Sequence, residues 1–273
     1  MTTTIPTPQH TRAQKSQTEI LLRFVGWEFW RNFRMLDATF FVLVLPAAMY
    51  LMFGVGMDQG DLPAGYGNVS AYVMTSMAVY GAVIATTAMA GSAAVERNMG
   101  WGRQLNLTGL TEANYIVGKM LMALLMAISP ILIVYIVGAF TGAQFDSFGH
   151  WLSSAALCLV VAIPFSLYGL AFALLFRSET AVSAASGFLV IFAFFGNLFI
   201  PLGGVLLDIA KFTPLYGPAM LARWPQTEGM LIPMQAGVEV QFESLWVLFA
   251  NVGAWTAIFG AICLFASRRR TSR

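Results

Sequence analysis

Charge is what this chain has least of. Asp, Glu, Lys and Arg make up 10% of its 273 residues, against about 25% in an ordinary soluble domain. Hydrophobic residues make up 58% and mean hydropathy is +0.71. A water-soluble fold has no means of hiding that much apolar surface, so the composition points to a membrane protein. Histidine is scarce too, with His10 and His150 alone. No Ser–His pair has a base in reach, which excludes that form of nucleophilic chemistry at Gly91-Ser92. Cysteine is limited to Cys158 and Cys263. Their places in two apolar runs put them about 15–20 Å apart in depth, too far for a disulfide. No metal-ligand spacing occurs, and none of the residues suggests nucleic acid as a partner. Gly118-Lys119 lacks the earlier glycine and the following Ser/Thr of a phosphate loop, so no ATP site is expected on this chain.

Long apolar runs are what is present. A helix crossing the hydrocarbon core needs about 20 apolar residues. Uncharged stretches that qualify are Ala38–Met57, Val69–Val95, Met120–Ala143, Trp151–Phe176, Thr180–Leu207 and Ser244–Ser267. They predict an all-α integral membrane fold with six transmembrane helices over 38–57, 69–95, 120–143, 151–176, 180–207 and 244–267. The fifth carries a Pro/Gly-rich end and is expected to break before Pro201. All but two of the 15 basic residues fall in the even loops and at the two ends of the chain. The exceptions are Lys211 and Arg223. Basic residues collect on the cytoplasmic side, so both termini are expected there, in a plasma (inner) membrane.

The flanks follow from the same reading. Residues 1–17 are polar, rich in Thr, Gln and Pro, and predict a disordered cytoplasmic tail; residues 268–273 form a basic tail. Residues 18–37 predict an amphipathic interfacial helix. Ser16 and Glu19 fit a capping box, and Leu22, Val25, Phe29 and Phe33 share a stripe. Arg23, Arg31 and Arg34 gather elsewhere with Trp27 and Trp30 beside them, while Glu28 and Asn32 border the apolar stripe and blemish it. Residues 201–243 stay apolar despite five prolines. Short external helices dipping into the membrane suit such a segment, because irregular backbone at depth must be buried in protein.

No charged group lies inside any of the six stretches, which argues against an ion-coupled carrier. Asn197 and Asn251 are the strongest polar groups there, suited either to a pathway or to helix–helix hydrogen bonds.

The loop after the second stretch is the informative one. It reads Glu96-Arg97, Gly100, Leu105, Leu107-Thr108-Gly109-Leu110 and then Gly118-Lys119. It resembles the loop between spans two and three of type-2 ATP-binding cassette (ABC) exporter permeases, with Gly109 where the family usually has proline. Pro46 to Gly54 is similar to that family's first span, and Phe199 to Tyr216 to its fifth span and external re-entrant helices. The resemblance implies a cytoplasmic coupling helix between spans two and three. Glu96, Arg97, Gly100, Leu105, Leu107, Thr108, Gly109 and Leu110 would there meet a separate ABC ATPase subunit that carries the ATP and Mg. It also implies a second permease copy or paralogue and export of a hydrophobic or amphipathic compound, the chain itself being no enzyme. A polysaccharide-exporting permease and a non-transporting membrane scaffold are the alternatives.

Overall fold

The computed structural model describes residues 16–34, 40–56, 59–100, 111–176, 178–232 and 240–271. The regular elements of the described part are helices apart from one two-stranded ribbon. Its elements are α1 (Gln17–Phe33), α2 (Phe40–Val44, Leu45–Tyr50 and Leu51–Val55 without interruption), α3 (Val69–Asn98) and α4 (Glu112–Phe140). Next come α5 (Phe148–Ala162), α6 (Pro164–Phe176), α7 (Glu179–Phe195), α8 (Gly204–Ala210) and α9 (Tyr216–Thr227). Strands β1 (Met230–Leu231) and β2 (Gln241–Phe242) pair antiparallel before α10 (Leu245–Thr271).

Four segments among the described residues are long and apolar enough to cross a membrane: Val69–Glu96, Val117–Phe140, Phe148–Phe176 and Leu245–Ala266. The apolar helices Val42–Val55 and Glu179–Phe195 are shorter. The fifth predicted stretch ceases to be helical at Phe195, well before Leu207. Its end is made by Gly196 and by Asn197, whose φ of 58° is left-handed, a conformation that Asn tolerates better than most residues.

Helix α3 is the hub. Buried residues make up 72% of its apolar segment, against 22% for α10. The cause lies in its side chains, since Ala, Gly, Ser and Thr recur along it and let neighbouring backbones approach. A Cβ on Gly81 would lie 2.6 Å from Pro130 of α4 and 3.1 Å from Pro46 of α2. At Gly169 of α6 a Cβ would collide with the Thr87 carbonyl of α3.

The junction of α5 and α6 shows why polar residues sit in this apolar helix. Pro164 has no N–H to donate, so the ladder is interrupted there. Ser166 N–H bonds to Ile163 and so leaves the Ala162 carbonyl, to which Thr86 donates (3.0 Å). Thr87 donates to the Phe165 carbonyl in the first turn of α6 (3.3 Å). Irregular backbone is thereby satisfied by protein, as a water-free surrounding demands.

The end of the bundle at Val69 is tied by side chains. Asn68 caps α3 by accepting from Ala71 N–H (2.9 Å), and its side chain also accepts from Gln144 N–H (3.0 Å) and donates to Gly142 (2.7 Å). Gln226 of α9, fully buried, donates to the carbonyls of Ala64 and Asn68. Asn251 of α10 accepts from Gly217 N–H (3.2 Å) and donates to the carbonyls of Lys211 and Thr213.

Helix α1 departs from its sequence reading in two respects. Ser16 makes no side-chain cap, and the Glu19 side chain pairs with Arg23 at 2.8 Å. The inward face is Leu21, Phe24, Val25, Glu28 and Phe29, which keeps Val25 and Phe29 of the expected stripe, whereas Leu22 is exposed together with Trp27 and Trp30. The helix is rotated from the expected stripe because Glu28, read as a blemish, is its most deeply buried side chain at 1% exposure.

Candidate functional site: an ionic knot beside an apolar cavity

Burying a carboxylate is costly unless it is paired. Glu28 is held by two cations: Arg31 one turn along α1, at 3.0 Å, and Lys119 of α4. Arg31 and Lys119 in turn both pair with Glu96, which sits near the end of α3; the Arg31 contact is 2.9 Å. The four groups close a ring of alternating sign across three helices. Tyr115 donates to Glu96 at 3.4 Å, and Arg31 lies 5.1 Å from the centre of the Trp27 ring.

Local packing makes the ring possible. Gly118 of α4 faces Phe24, whose ring a Cβ at 118 would meet at 2.7 Å. The missing side chain lets α1 lie against α4 and brings Glu28 to the neighbouring Lys119. Burial is the largest influence on Glu28 and raises its pKa above the ordinary carboxylate value of 4.5, with Lys119 and Arg31 opposing. Tyr115 is also raised, first by burial and then by the Glu96 charge. One carboxylate oxygen of Glu28, Oε2, has no hydrogen-bond partner among the described residues.

Of the residues expected at a coupling contact, Glu96 is therefore in the ring, and Arg97 lies on α3 with its side chain outside the described part. Gly100, at φ 81°, turns the chain just after α3. Leu105, Leu107, Thr108, Gly109 and Leu110 lie outside the described residues. What is described are the two helix ends that bracket them, α3 at Glu96 and α4 at Tyr115 and Lys119, joined through the ring.

Beside the ring opens a cavity of about 430 Å³ between α3, α4, α5 and α6. Lys119 and Tyr115 stand at one end, and Met89, Ala93, Ala123, Ala127, Leu167 and Leu170 are among its walls.

At the other end of α3 lies a second buried charge, on one of the short helices expected between residues 201 and 243. Arg223 of α9 is fully buried. Its five N–H groups make five hydrogen bonds: Nε and Nη2 to Ser76 Oγ (3.0 and 2.6 Å), Nη1 to Tyr72 Oη and the Asn197 carbonyl (2.8 Å each), and Nη2 to the Leu198 carbonyl (2.8 Å). The two carbonyls lie just past the end of α7, where the negative end of the helix dipole gathers. The guanidinium also stacks 4.0 Å from the centre of the Tyr72 ring. Asn197 thus serves this cage through its backbone, while its side chain accepts from Leu202 N–H at 2.8 Å. The sequence did carry one signal for Arg223, a lone arginine in an apolar segment away from the other basic residues.

Comparison with known proteins agrees with this architecture. Residues 17–216 match the family model of the ABC-2 type transporter, which takes in every element from α1 to the start of α9. Over 190 residues the chain is 25% identical to the Bacillus subtilis (strain 168) protein named "Putative transport permease YvfS", covering 67% of this chain and 77% of that one. With a match over most of its length and helices of the required apolar length, the chain belongs to the ABC-2 type transporter family and is a mostly helical membrane protein of the transport-permease kind.

Proposed function

We propose that the chain is the membrane subunit of an ATP-driven exporter for a hydrophobic or amphipathic compound. Two such subunits pair, each served by a separate ABC ATPase that holds the ATP and Mg. Six segments cross the plasma membrane: the four long ones, plus Val42–Val55 and Glu179–Phe195. Both termini are cytoplasmic. The short fifth segment suits this reading, since its broken end is satisfied by Arg223 rather than left to lipid.

The observation that carries the reading is the ring of Glu28, Arg31, Glu96 and Lys119. It fastens together the two helix ends that bracket residues 101–110. A partner pressing on those residues would move the tied ends of α1, α3 and α4 together. Work done by ATP outside the membrane can reach the helices only through such a rigid connection.

The test is separation of the partners. Leu107→Asp with Leu110→Asp should leave the chain inserted and folded but lose its co-purifying ATPase, since removing a packed apolar anchor costs over about 1 kcal/mol. Arg103→Ala should do much less. Full retention of the ATPase and of substrate-stimulated hydrolysis in a well-folded double variant refutes the coupling assignment. For topology, cysteines placed at Gln59 and Gly149 should react with an impermeant thiol reagent outside intact cells, in a background lacking Cys158 and Cys263. A cysteine at Gln104 should not, and its labelling would overturn the orientation.

A further inference from the structure

The cavity beside the ionic ring plays no part in fastening α1, α3 and α4 together. Its walls come from three of the segments long enough to span a membrane. Along α3 it runs from Thr86 to Ala94 and along α4 from Tyr115 to Ala127. These stretches are about 12 and 18 Å at the helical rise of 1.5 Å per residue. Half of a ~30 Å hydrocarbon core is about 15 Å. The cavity therefore has the length of one leaflet, measured from the ring inward.

Its polar lining is already engaged. Thr86 donates to Ala162, Ser166 to Ile163 (2.7 Å) and Tyr115 to Glu96, and Lys119 pairs with Glu28 and Glu96. An occupant that required hydrogen bonds within the walls would find these groups taken, and burying unpaired polar atoms is costly. An apolar occupant meets no such penalty. At the ring end Lys119 lines the cavity, and Arg31, a third exposed, is the ring group that a headgroup can reach. Side chains at the mouth, among them Met120, Leu124 and Ile163, are exposed. In a bilayer their neighbours are lipid chains. At about 430 Å³ the space is near the low end of ligand pockets, which run from ~300 to 1,000 Å³. It suits one chain and not a whole two-chain lipid.

We infer that this cavity is a binding site for one acyl chain of a phospholipid from the leaflet on the Lys119 side, with the headgroup at the Glu28–Arg31–Glu96–Lys119 ring. Binding would wedge a chain between α3, α4 and α6 directly behind the ring. Such lipid binding needs neither the ATPase nor transport, so its test stands apart from that of the coupling assignment.

The test uses the full chain in vesicles of phosphatidylethanolamine and phosphatidylglycerol, doped with a phospholipid bearing a diazirine near the end of one acyl chain. After irradiation, labelled peptides are mapped by mass spectrometry. Labelling is expected at Ala90–Ala94, Ala123–Ala127 and Leu167–Leu174, and it should saturate. Leu132 and Ile136, exposed on α4, serve as lipid-facing controls and should label without saturating. Ala123→Trp fills the cavity and should lower its labelling about tenfold, the change expected for an affinity loss of that order, with the controls unchanged. Ala93→Trp fills it from α3 and serves if the first variant does not remain monodisperse. Three results overturn the inference: cavity labelling that does not saturate, labelling unchanged in both filled variants, or a cavity closed to lipid and crosslinked to a second copy. Tight co-purification of a compound other than phospholipid, displaced by either variant, assigns the cavity to a different ligand and also overturns it.

Discussion

Removing the cation and the anion of the ring should have unequal and non-additive effects. Among the described residues, Lys119→Met deletes the only cationic partner of Glu28 besides Arg31, which is itself a third exposed. Glu28, at 1% exposure, would remain as a charge that one half-solvated guanidinium must satisfy. Orphaning a buried charge costs about 3–5 kcal/mol, and the residual Arg31 contact places Lys119→Met near the bottom of that range, about 3 kcal/mol. Glu28→Leu leaves Lys119 still paired with Glu96. It loses charge-assisted hydrogen bonds worth about 1.5–3 kcal/mol each but regains the desolvation of the carboxylate, so its net cost is about 1–2 kcal/mol. In Glu28→Leu/Lys119→Met no buried charge is orphaned, and Arg31 and Glu96 keep each other at 2.9 Å. The double variant should therefore be more stable than Lys119→Met alone, by about 1–2 kcal/mol, because apolar replacement of a whole buried pair is often neutral. Equilibrium unfolding of the purified chain in mixed micelles, with proteolysis between α1 and α2 as a local probe, measures all three. Additive losses, or a Glu28 variant less stable than the Lys119 variant, would show that the four charges do not form a buried, mutually dependent unit.

The ring also sets a pH dependence. The folded pKa of Glu28 lies above its ordinary 4.5, so between those values the folded protein binds more protons than the unfolded one. Stability from this group is complete below about pH 4.5 and falls as pH rises through the raised pKa; Glu28→Gln should flatten that slope in unfolding curves taken from acid to neutral pH. At the other end, Arg223→Lys keeps the charge but offers three donors in place of five. Leaving carbonyls beyond α7 unpaired should cost about 2–3 kcal/mol in thermal unfolding, and an unchanged melting temperature would refute the cage. Gly169→Ala should separate α3 from α6, since its Cβ strikes the Thr87 carbonyl. A loss of about 2 kcal/mol or more is expected, and a neutral result would mean the two backbones are not in contact.

The helices most legible in the sequence are those whose apolar runs are long and uninterrupted. The stretches at Val69, Met120, Trp151 and Ser244 each fall within a residue or a few of a helix of membrane-spanning length. Composition alone carries such segments. In the fifth the Pro/Gly-rich end marks a break before Pro201, where the helix does stop, but apolar character continues past Gly196 and Asn197 and leaves the exact residue unmarked. Hydropathy does not register backbone direction. Glu28 shows a different limit. A helical wheel sees a carboxylate beside an apolar stripe, but its partner Lys119 is 91 residues away, and pairing at that distance leaves no local pattern. Arg223 has neutral partners, so no complementary charge in the sequence announces its burial. Asn68 could have been found, since an Asn directly before an apolar helical run is a familiar cap.

One consequence of the Gly81 contact is mechanical. There α3 rests against Pro130 and Pro46 with no side chain of its own between, so the point offers a fulcrum. Glu96, in the ring, is 15 positions along the helix on one side, and Tyr72, in the arginine cage, is 9 on the other. Those arms are about 22 and 14 Å at 1.5 Å per residue. If α3 tilts as a stiff rod about Gly81, a displacement of the ring in one direction drives the cage in the opposite direction by about three-fifths as much. A single helix would then tie an inward movement at one face of the bundle to an outward one at the other.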